Sequence, residues 1–111
     1  MFLNRLFGTG VQDDTIRVLS PEAFREAVQN KKVQLIDVRT KAEFSQGAIK
    51  NAVNLDFFQP QQLLNGVKKL DKNKPLYLYC RSGNRSQKAA RLLKQEGFTE
   101  IYDLQGGIGN Y

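Results

Sequence analysis

Short apolar runs alternate with apolar positions spaced three and four apart, and the alternation recurs about five times along the chain. Ile16-Arg17-Val18-Leu19 is a short strand. Ser20-Pro21 then offers an N-cap with proline at the first helical position. Phe24, Ala27 and Val28 give that helix its apolar face, and it ends near Asn30, before Lys31-Lys32. Val33 to Val38 is mostly apolar and β-branched, which suits a parallel strand covered on both faces. Thr40-Lys41-Ala42-Glu43 has capping-box spacing and opens a short helix that Gly47 stops. Ala52 to Leu55 is a weak strand. Gln59 to Leu70 has apolar positions 63, 64, 67 and 70 at helical spacing, weakened by Gly66. After a turn at Lys72 to Pro75, Leu76 to Tyr79 is a strand with no polar face. Ser86 to Glu96 is the best helix, with Ala89, Ala90, Leu92 and Leu93 as its apolar residues. Gly97 stands where a left-handed cap is expected, with Phe98 placed to pack back on Leu93. Glu100 to Leu104 is the last strand, followed by Gly106-Gly107.

This order predicts an α/β domain: a central, mainly parallel five-stranded sheet with helices on both faces. In such sheets the working site lies outside the carboxyl ends of the strands. Two of those ends carry chemistry, Asp37-Val38-Arg39 and the segment from Cys80 onward.

Residues 1–14 read as a short extension and residues 15–111 as the domain. Phe2, Leu3, Leu6 and Phe7 are interrupted by Asn4 and Arg5, so no apolar run reaches the length of a membrane span. Their spacing suits a short amphipathic turn, and a loosely docked extension is preferred over a membrane-surface anchor. A chain of 111 residues is enough for one domain and too little for two. It has no histidine, which removes Ser-His-Asp triads, Cys-His pairs and His-ligated metals. Its one cysteine, Cys80, removes disulfides, CxxC pairs and Cys-based zinc sites within the chain, so no metal site is expected. An unpaired cysteine fits a reducing compartment, the cytoplasm. The net charge of +6, from 17 Lys+Arg against 11 Asp+Glu, favours anionic partners without choosing among them.

Tyr79-Cys80-Arg81-Ser82-Gly83-Asn84-Arg85-Ser86 joins a buried strand to a well-formed helix in very few residues. A tight turn aided by Gly83 would aim successive backbone N–H groups at the sulfur. Such a nest at a helix N-terminus binds anions. The same surroundings favour the thiolate form of a cysteine. Arg81, Arg85, Lys88, Arg91 and Lys94 fall between positions 80 and 94 with no acidic residue among them. Cys80 is therefore expected as a thiolate without help from an imidazole, with Ser82 and Ser86 as further donors. The plainer reading, a small buried hydrophobe, is outweighed by the basic, Gly-containing turn. Arg85 sits at a helix start, where a cation opposes the dipole and needs a reason.

The run Cys80-Arg81-Ser82-Gly83-Asn84-Arg85-Ser86 resembles the active-site loop of the rhodanese-like sulfurtransferases. The resemblance covers about Val18 to Tyr111. Ile36-Asp37-Val38-Arg39 with Glu43-Phe44 looks like the family's Asp-x-Arg strand end and next helix. Gly47 to Asn54 resembles its Gly-His-Ile-x-Gly-Ala-x-Asn block, and Leu104-Gln105-Gly106-Gly107-Ile108 its closing Leu-x-Gly-Gly-Ile. Ala48 replaces the usual histidine, Asn51 a frequent glycine and Tyr111 a common tryptophan, and members often continue into another helix past that point. The resemblance implies a three-layer fold and persulfide chemistry with no cofactor. Cys80 would attack a sulfane donor such as thiosulfate and hold the sulfur as a persulfide. Arg81, Ser82, Gly83, Asn84, Arg85 and Ser86 would form the anion and persulfide pocket. A thiol, or cyanide in an assay, would take the sulfur in a second half-reaction. The enzyme is expected to be a monomer.

Asp37 and Arg39 are possible supporting residues. The plainer expectation is a structural network in which Arg39 pairs with Glu43 and Asp37 accepts loop N–H groups. Three rival functions share some of these features. A cysteine phosphatase or arsenate reductase of the tyrosine-phosphatase type needs one residue more than the four, Arg81 to Asn84, that separate Cys80 from Arg85. A non-turnover persulfide relay or sulfur-binding partner module fits the same loop. Nucleic-acid binding through Lys68, Lys69, Lys72 and Lys74 lacks any aromatic-basic stacking pattern and is not expected.

Overall fold

The structure, a computed structural model, describes residues 14–30 and 32–111. The apolar positions read in Met1 to Gly10 lie outside the described residues.

Five strands form one sheet: β1 (Ile16–Leu19), β2 (Gln34–Asp37), β3 (Val53–Asn54), β4 (Leu76–Tyr79) and β5 (Ile101–Leu104). Their order is β1-β5-β4-β2-β3, and every pairing is parallel. Four helices connect them: α1 (Pro21–Val28), α2 (Lys41–Ser45), α3 (Pro60–Val67) and α4 (Asn84–Gln95). β4 is the middle strand, with β2 and β5 on its two sides, which explains its lack of a polar face.

Strand alternation divides the apolar side chains into two layers. Phe24 and Val28 of α1 pack with Leu35, Tyr79 and Leu104 on one face. Leu63 and Val67 of α3 and Ala89, Ala90 and Leu93 of α4 pack with Ile36, Leu76, Leu78 and Ile101 on the other. This is the three-layer α/β arrangement the sequence predicts. Cys80 belongs to the second layer, beneath α4.

Local chemistry sets the ends of these elements. Ser20 caps α1, its Oγ accepting from the Ala23 N–H at 3.2 Å. Thr40 and Glu43 close the expected capping box on α2. Gly97 is left-handed, and Phe98 lies in the same cluster as Leu93. Asn51 has φ +72°, so the asparagine meets the backbone demand that a glycine would have met. Several bounds differ from the expected ones. β2 omits Val33 and Val38, and β3 shrinks to two residues at the sheet edge. α4 starts at Asn84 rather than Ser86, because left-handed Gly83 (φ +104°) turns the chain into the helix earlier. α3 stops at Val67 rather than Leu70, one residue after Gly66, whose missing Cβ lets the Leu55 side chain lie against the helix.

The polar network at the end of β2 requires a correction. Arg39 pairs with Asp37, not Glu43: Nη2 lies 2.6 Å from Oδ2, and Nε lies 3.0 Å from each carboxylate oxygen. Asp37 and Arg39 are two residues apart on an extended chain, so their side chains share a face, whereas Glu43 is turned toward α4. Arg39 also donates its own N–H to Asp37 Oδ1 (2.9 Å) and Nη2 to Gly47 O (2.8 Å). Asn54 Nδ2 ties the Asp37 and Arg39 carbonyls together at 3.0 and 2.9 Å. Asp37 is fully buried and Arg39 nearly so.

Removing one member of a buried pair leaves the other as an uncompensated charge. Arg39→Ala is therefore expected to lower unfolding free energy by about 3–5 kcal/mol, measured by urea denaturation. A change within experimental error would show that the pair does not hold the end of β2.

Candidate active site at the Cys80 loop

Cys80 is the first residue after β4, and the loop reaches α4 at Asn84. Gly83 makes this short turn feasible because its positive φ is disallowed to most side chains. Its N–H donates to Cys80 Sγ at 3.0 Å. The Cys80 thiol in turn donates to Ser86 Oγ at 3.4 Å, and Ser86 Oγ donates to Gly83 O at 3.2 Å. The sulfur thus lies over the start of α4, where the helix's unsatisfied N–H groups and dipole favour negative charge.

A second segment holds the loop from outside. Ile108 and Gly109 donate their N–H groups to Cys80 O at 2.9 Å and Arg81 O at 3.1 Å. These bonds turn both carbonyls toward the C-terminal segment. The approach requires Gly107: a Cβ there would overlap the Arg81 carbonyl and lie 2.6 Å from Ser82 N. Gly107 is also in positive φ, at +70°. The Gly-Gly-Ile run is accordingly part of the site's construction.

The loop residues divide into three groups. Cys80 and Ser86 are buried, with Cys80 only 1% exposed. Arg81, Ser82 and Asn84 face solvent, and Gly83 is half-buried. Arg85 is half-buried, and its guanidinium grips Glu43 with two bonds, Nη1–Oε1 2.7 Å and Nη2–Oε2 2.9 Å. It also lies 5.4 Å from the centroid of the exposed Phe58 ring. Glu43 explains the cation at a helix start. The ion pair holds the Glu43 carboxyl down at about 2, and the Thr40 hydrogen bonds help against the opposing effect of burial. Arg85 is therefore not a free anion ligand.

Arg39 and Arg81 come together at a pocket of about 310 Å³ beside the loop, with Glu43, Gln46, Ile108 and Gly109. Larger concavities lie elsewhere, one of about 490 Å³ including Arg25, Ala48, Lys50 and Tyr111. Asp37 does not enter the pocket, because its carboxylate is occupied by Arg39. Tyr79 supports Arg39 from below, 5.6 Å from its guanidinium, and burial pushes its phenol up. Tyr111 docks against Phe24 and stacks under Arg25 at 4.3 Å. No group of three or more acidic, cysteine or histidine side chains suited to a metal occurs among the described residues.

Three residues important here were not singled out from sequence for these roles. From sequence Glu43 is a helix cap and a partner for Arg39, whereas it pairs with Arg85; an acid opposite a basic helix start is the usable signal. Gly107 was read as a motif residue without its contact. Asp103 occupies an inward position of β5, two residues past the fully buried Ile101, where a carboxylate is unexpected.

Comparison with known proteins places these features. The Rhodanese-like domain family model matches residues 20–111. The tRNA uridine(34) hydroxylase of Aster yellows witches'-broom phytoplasma (strain AYWB) is 41% identical over 96 residues, covering 84% of this chain and 31% of that protein. The chain thus spans about a third of the length of the tRNA uridine(34) hydroxylases it matches. Uncharacterized protein YqhL of Bacillus subtilis is 42% identical over 97 residues, covering 87% of this chain and 73% of that protein. Among solved structures, a rhodanese-related protein from Thermoplasma volcanium matches with a TM-score of 0.70 at 30% identity, covering 84% of this chain and 87% of that one.

Gly107→Ala should cost about 1–3 kcal/mol through overlap with the Arg81 peptide. Gly47→Ala is the control, since it shares a positive φ but has no neighbour within 4 Å. Equal melting temperatures for the two variants would remove the clamp argument. Glu43→Gln should lower stability at neutral pH by on the order of 2 kcal/mol. Because the folded carboxyl lies below its unfolded value, the wild-type advantage is complete above about pH 5 and disappears as pH falls toward about 2. A wild-type advantage independent of pH across that window would contradict the ion-pair assignment.

Proposed function

The chain belongs to the rhodanese-like domain family, a family of sulfur-transfer chemistry, and we propose that it is a sulfurtransferase carrying sulfane sulfur on Cys80 as a persulfide. The observation that carries this reading is the Gly83 N–H at 3.0 Å from Cys80 Sγ, at the start of α4. Cys80 is the nucleophile. Its thiolate attacks the outer sulfur of an anionic donor such as thiosulfate. A new S–S bond forms, the donor's S–S bond breaks, and sulfite leaves with the electron pair. A thiolate acceptor, small molecule or protein, then attacks the outer sulfur of the persulfide and regenerates Cys80 thiolate.

Arg81, with Arg39 behind it, supplies positive charge at the mouth of the site and draws the donor in. Ser82, Gly83, Asn84 and Ser86 contribute loop amides and hydroxyls around the sulfur. Arg85 acts through Glu43 by fixing the helix start rather than by holding the donor. Asp37 acts through Arg39. Residues 15–111 form the working domain and residues 1–14 an extension. The protein works as a monomer in the cytoplasm, where one unpaired thiol stays reduced.

A persulfide relay is the second reading. It is favoured by the 1% exposure of Cys80 and by the matching domain being about a third of longer tRNA uridine(34) hydroxylases. In that reading a partner protein, or a partner domain, supplies or takes the sulfur. The phosphatase reading is disfavoured because Arg85 is committed to Glu43 and is not available to clamp an oxyanion.

Intact mass after thiosulfate treatment should show a gain of one sulfur, lost on adding dithiothreitol and absent in Cys80→Ala. Sulfur transfer to cyanide or a small thiol should fall to background in that variant. Loading without small-molecule turnover would select the relay. Transfer undiminished in Cys80→Ala would overturn both readings, as would phosphate release from an aryl phosphate with no sulfur loading.

A further inference from the structure

Phe58 is the one exposed aromatic side chain among the described residues, 61% open to solvent, and it stands beside the Cys80 loop. A rigid turn puts it there. Its N–H donates to Asp56 Oδ1 at 2.8 Å, the Gln59 N–H donates to Asp56 O at 3.0 Å, and Pro60 then starts α3. Phe57, just before it, donates its N–H to Val38 O at 3.0 Å and packs against the core. The Phe58 ring lies by the Arg85 guanidinium, 5.4 Å from its centroid. Arg85 immediately precedes Ser86, whose hydroxyl touches Cys80 Sγ. A large apolar ring is thus held out in water next to a nearly covered nucleophile.

The charge along the neighbouring helix has one sign. α4 carries Arg85, Lys88, Arg91 and Lys94 and no acid. Cations three residues apart on a helix repel one another, and nothing within α4 relieves them. Arg85 finds Glu43 on α2. Lys88 and Arg91 face outward with Asn84 and Gln95, and among the described residues neither makes an ion pair; the same holds for the exposed Arg81. The acids close by are already engaged, Glu43 with Arg85 and Asp56 Oδ1 with the Phe58 N–H. An apolar anchor rimmed by unpaired cations has the make-up of a protein interface, and its complement is an apolar recess ringed by carboxylates. We propose that Phe58, Arg81, Lys88 and Arg91 form a docking surface for an acidic protein whose cysteine takes the sulfur from Cys80. In the transfer the partner's thiolate bonds to the outer sulfur, the bond from that sulfur to Sγ breaks, and Cys80 keeps the electron pair as thiolate. No oxidant or reductant is consumed.

Placement favours a protein over other acceptors. Lys88 and Arg91 stand about 6 and 10 Å along the helix from Asn84, farther than a small thiol in the loop can use. A nucleic acid is disfavoured because the lysines at 68, 69, 72 and 74 precede β4, at the end of the strand away from Cys80, so the two basic areas do not form one track. Single strands are held by successive stacked rings along a positive groove, and here one ring is exposed.

The proposal rests on the reading of Cys80 as sulfur carrier, but its test uses no sulfur donor. The probes are short peptides of one frame, with a pyridyl-disulfide cysteine beside a leucine, flanked by glutamates, serines or lysines. Cys80 thiolate attacks the peptide sulfur, and the released pyridinethione is read by absorbance. At low salt the glutamate peptide should react at least about tenfold faster than the lysine peptide. Added salt should bring the ratio toward one. Lys88→Glu with Arg91→Glu should abolish or reverse the preference. Lys68→Glu with Lys69→Glu, an equal change of net charge at the far end, should keep most of it. Phe58→Ala should slow the serine peptide about fivefold or more and leave methyl pyridyl disulfide unaffected. Equal rates for the three peptides, or equal effects of the two double variants, would overturn the proposal. So would a mixed-sequence single-stranded RNA that binds at physiological salt and loses binding in Lys88→Glu with Arg91→Glu. Where Cys80 reacts with no peptide, amide NMR with serine in place of the peptide cysteine reads the same surface: shifts around Phe58, Lys88 and Arg91 with the glutamate peptide alone support docking, and their absence overturns it. Peptide selectivity intact with no sulfur loading would sink the sulfurtransferase reading alone.

Discussion

The Cys80 and Arg81 carbonyls point away from the sulfur because Ile108 and Gly109 hold them from behind. This is the constraint on which the site depends. A peptide plane has two ends, and fixing its oxygen outward turns its N–H inward. The loop is too short to fix those planes with contacts of its own. The task falls to a segment that leaves β5 at Leu104 and crosses back over the loop through Gly106 and Gly107. β4 and β5 are neighbours in the sheet, so one strand end delivers the sulfur and the adjacent end delivers its clamp. Sequence distance and function are reconciled by strand order.

Charge is distributed by the same logic. Five charged side chains stand near the site, Asp37, Arg39, Glu43, Arg81 and Arg85, and four of them are committed to one another. Arg39 is spent on Asp37, where it fixes the end of β2 and, through Asn54, its neighbour β3. Arg85 is spent on Glu43, where it joins α2 to the start of α4. Both pairs are two-point contacts in partly or wholly dry surroundings, where geometry rather than net attraction is what they contribute. What remains for an incoming anion is the exposed Arg81 and backbone dipoles. An anion arriving there meets only a modest positive field.

The strand and helix sequence was legible because each element obeys a local rule. Proline at the first turn of α1, the Thr40-Glu43 box and the Gly97 stop are decided by residues within one turn of them. The loop at Cys80 was legible for the same reason. The pairing of Arg39 was not, because both Asp37 and Glu43 lie within reach in sequence and only the extended backbone chooses between them. The partner of Arg85 stands 42 positions away, and the clamp on Arg81 similarly comes from another element. Asp103 was hidden differently. A lone Asp in a strand does not show which way it faces, and only burial and the unpartnered Oδ1 mark the carboxyl as unusual.

The geometry also bears on which atom the loop is built to hold. A tetrahedral oxyanion presents several charged oxygens at once and needs a ring of donors plus a bidentate cation facing them. Here one N–H reaches the sulfur, the helix-start guanidinium is occupied, and Cys80 is almost entirely covered. With Arg85 committed to Glu43, the helix-start guanidinium is not free to face such a group. A single sulfur atom added in line with Sγ asks for much less. It brings one charge, needs only a few donors, and leaves the two ion pairs in place. The size of what the loop accommodates is therefore set less by the cysteine than by the carboxylate that holds its arginine aside.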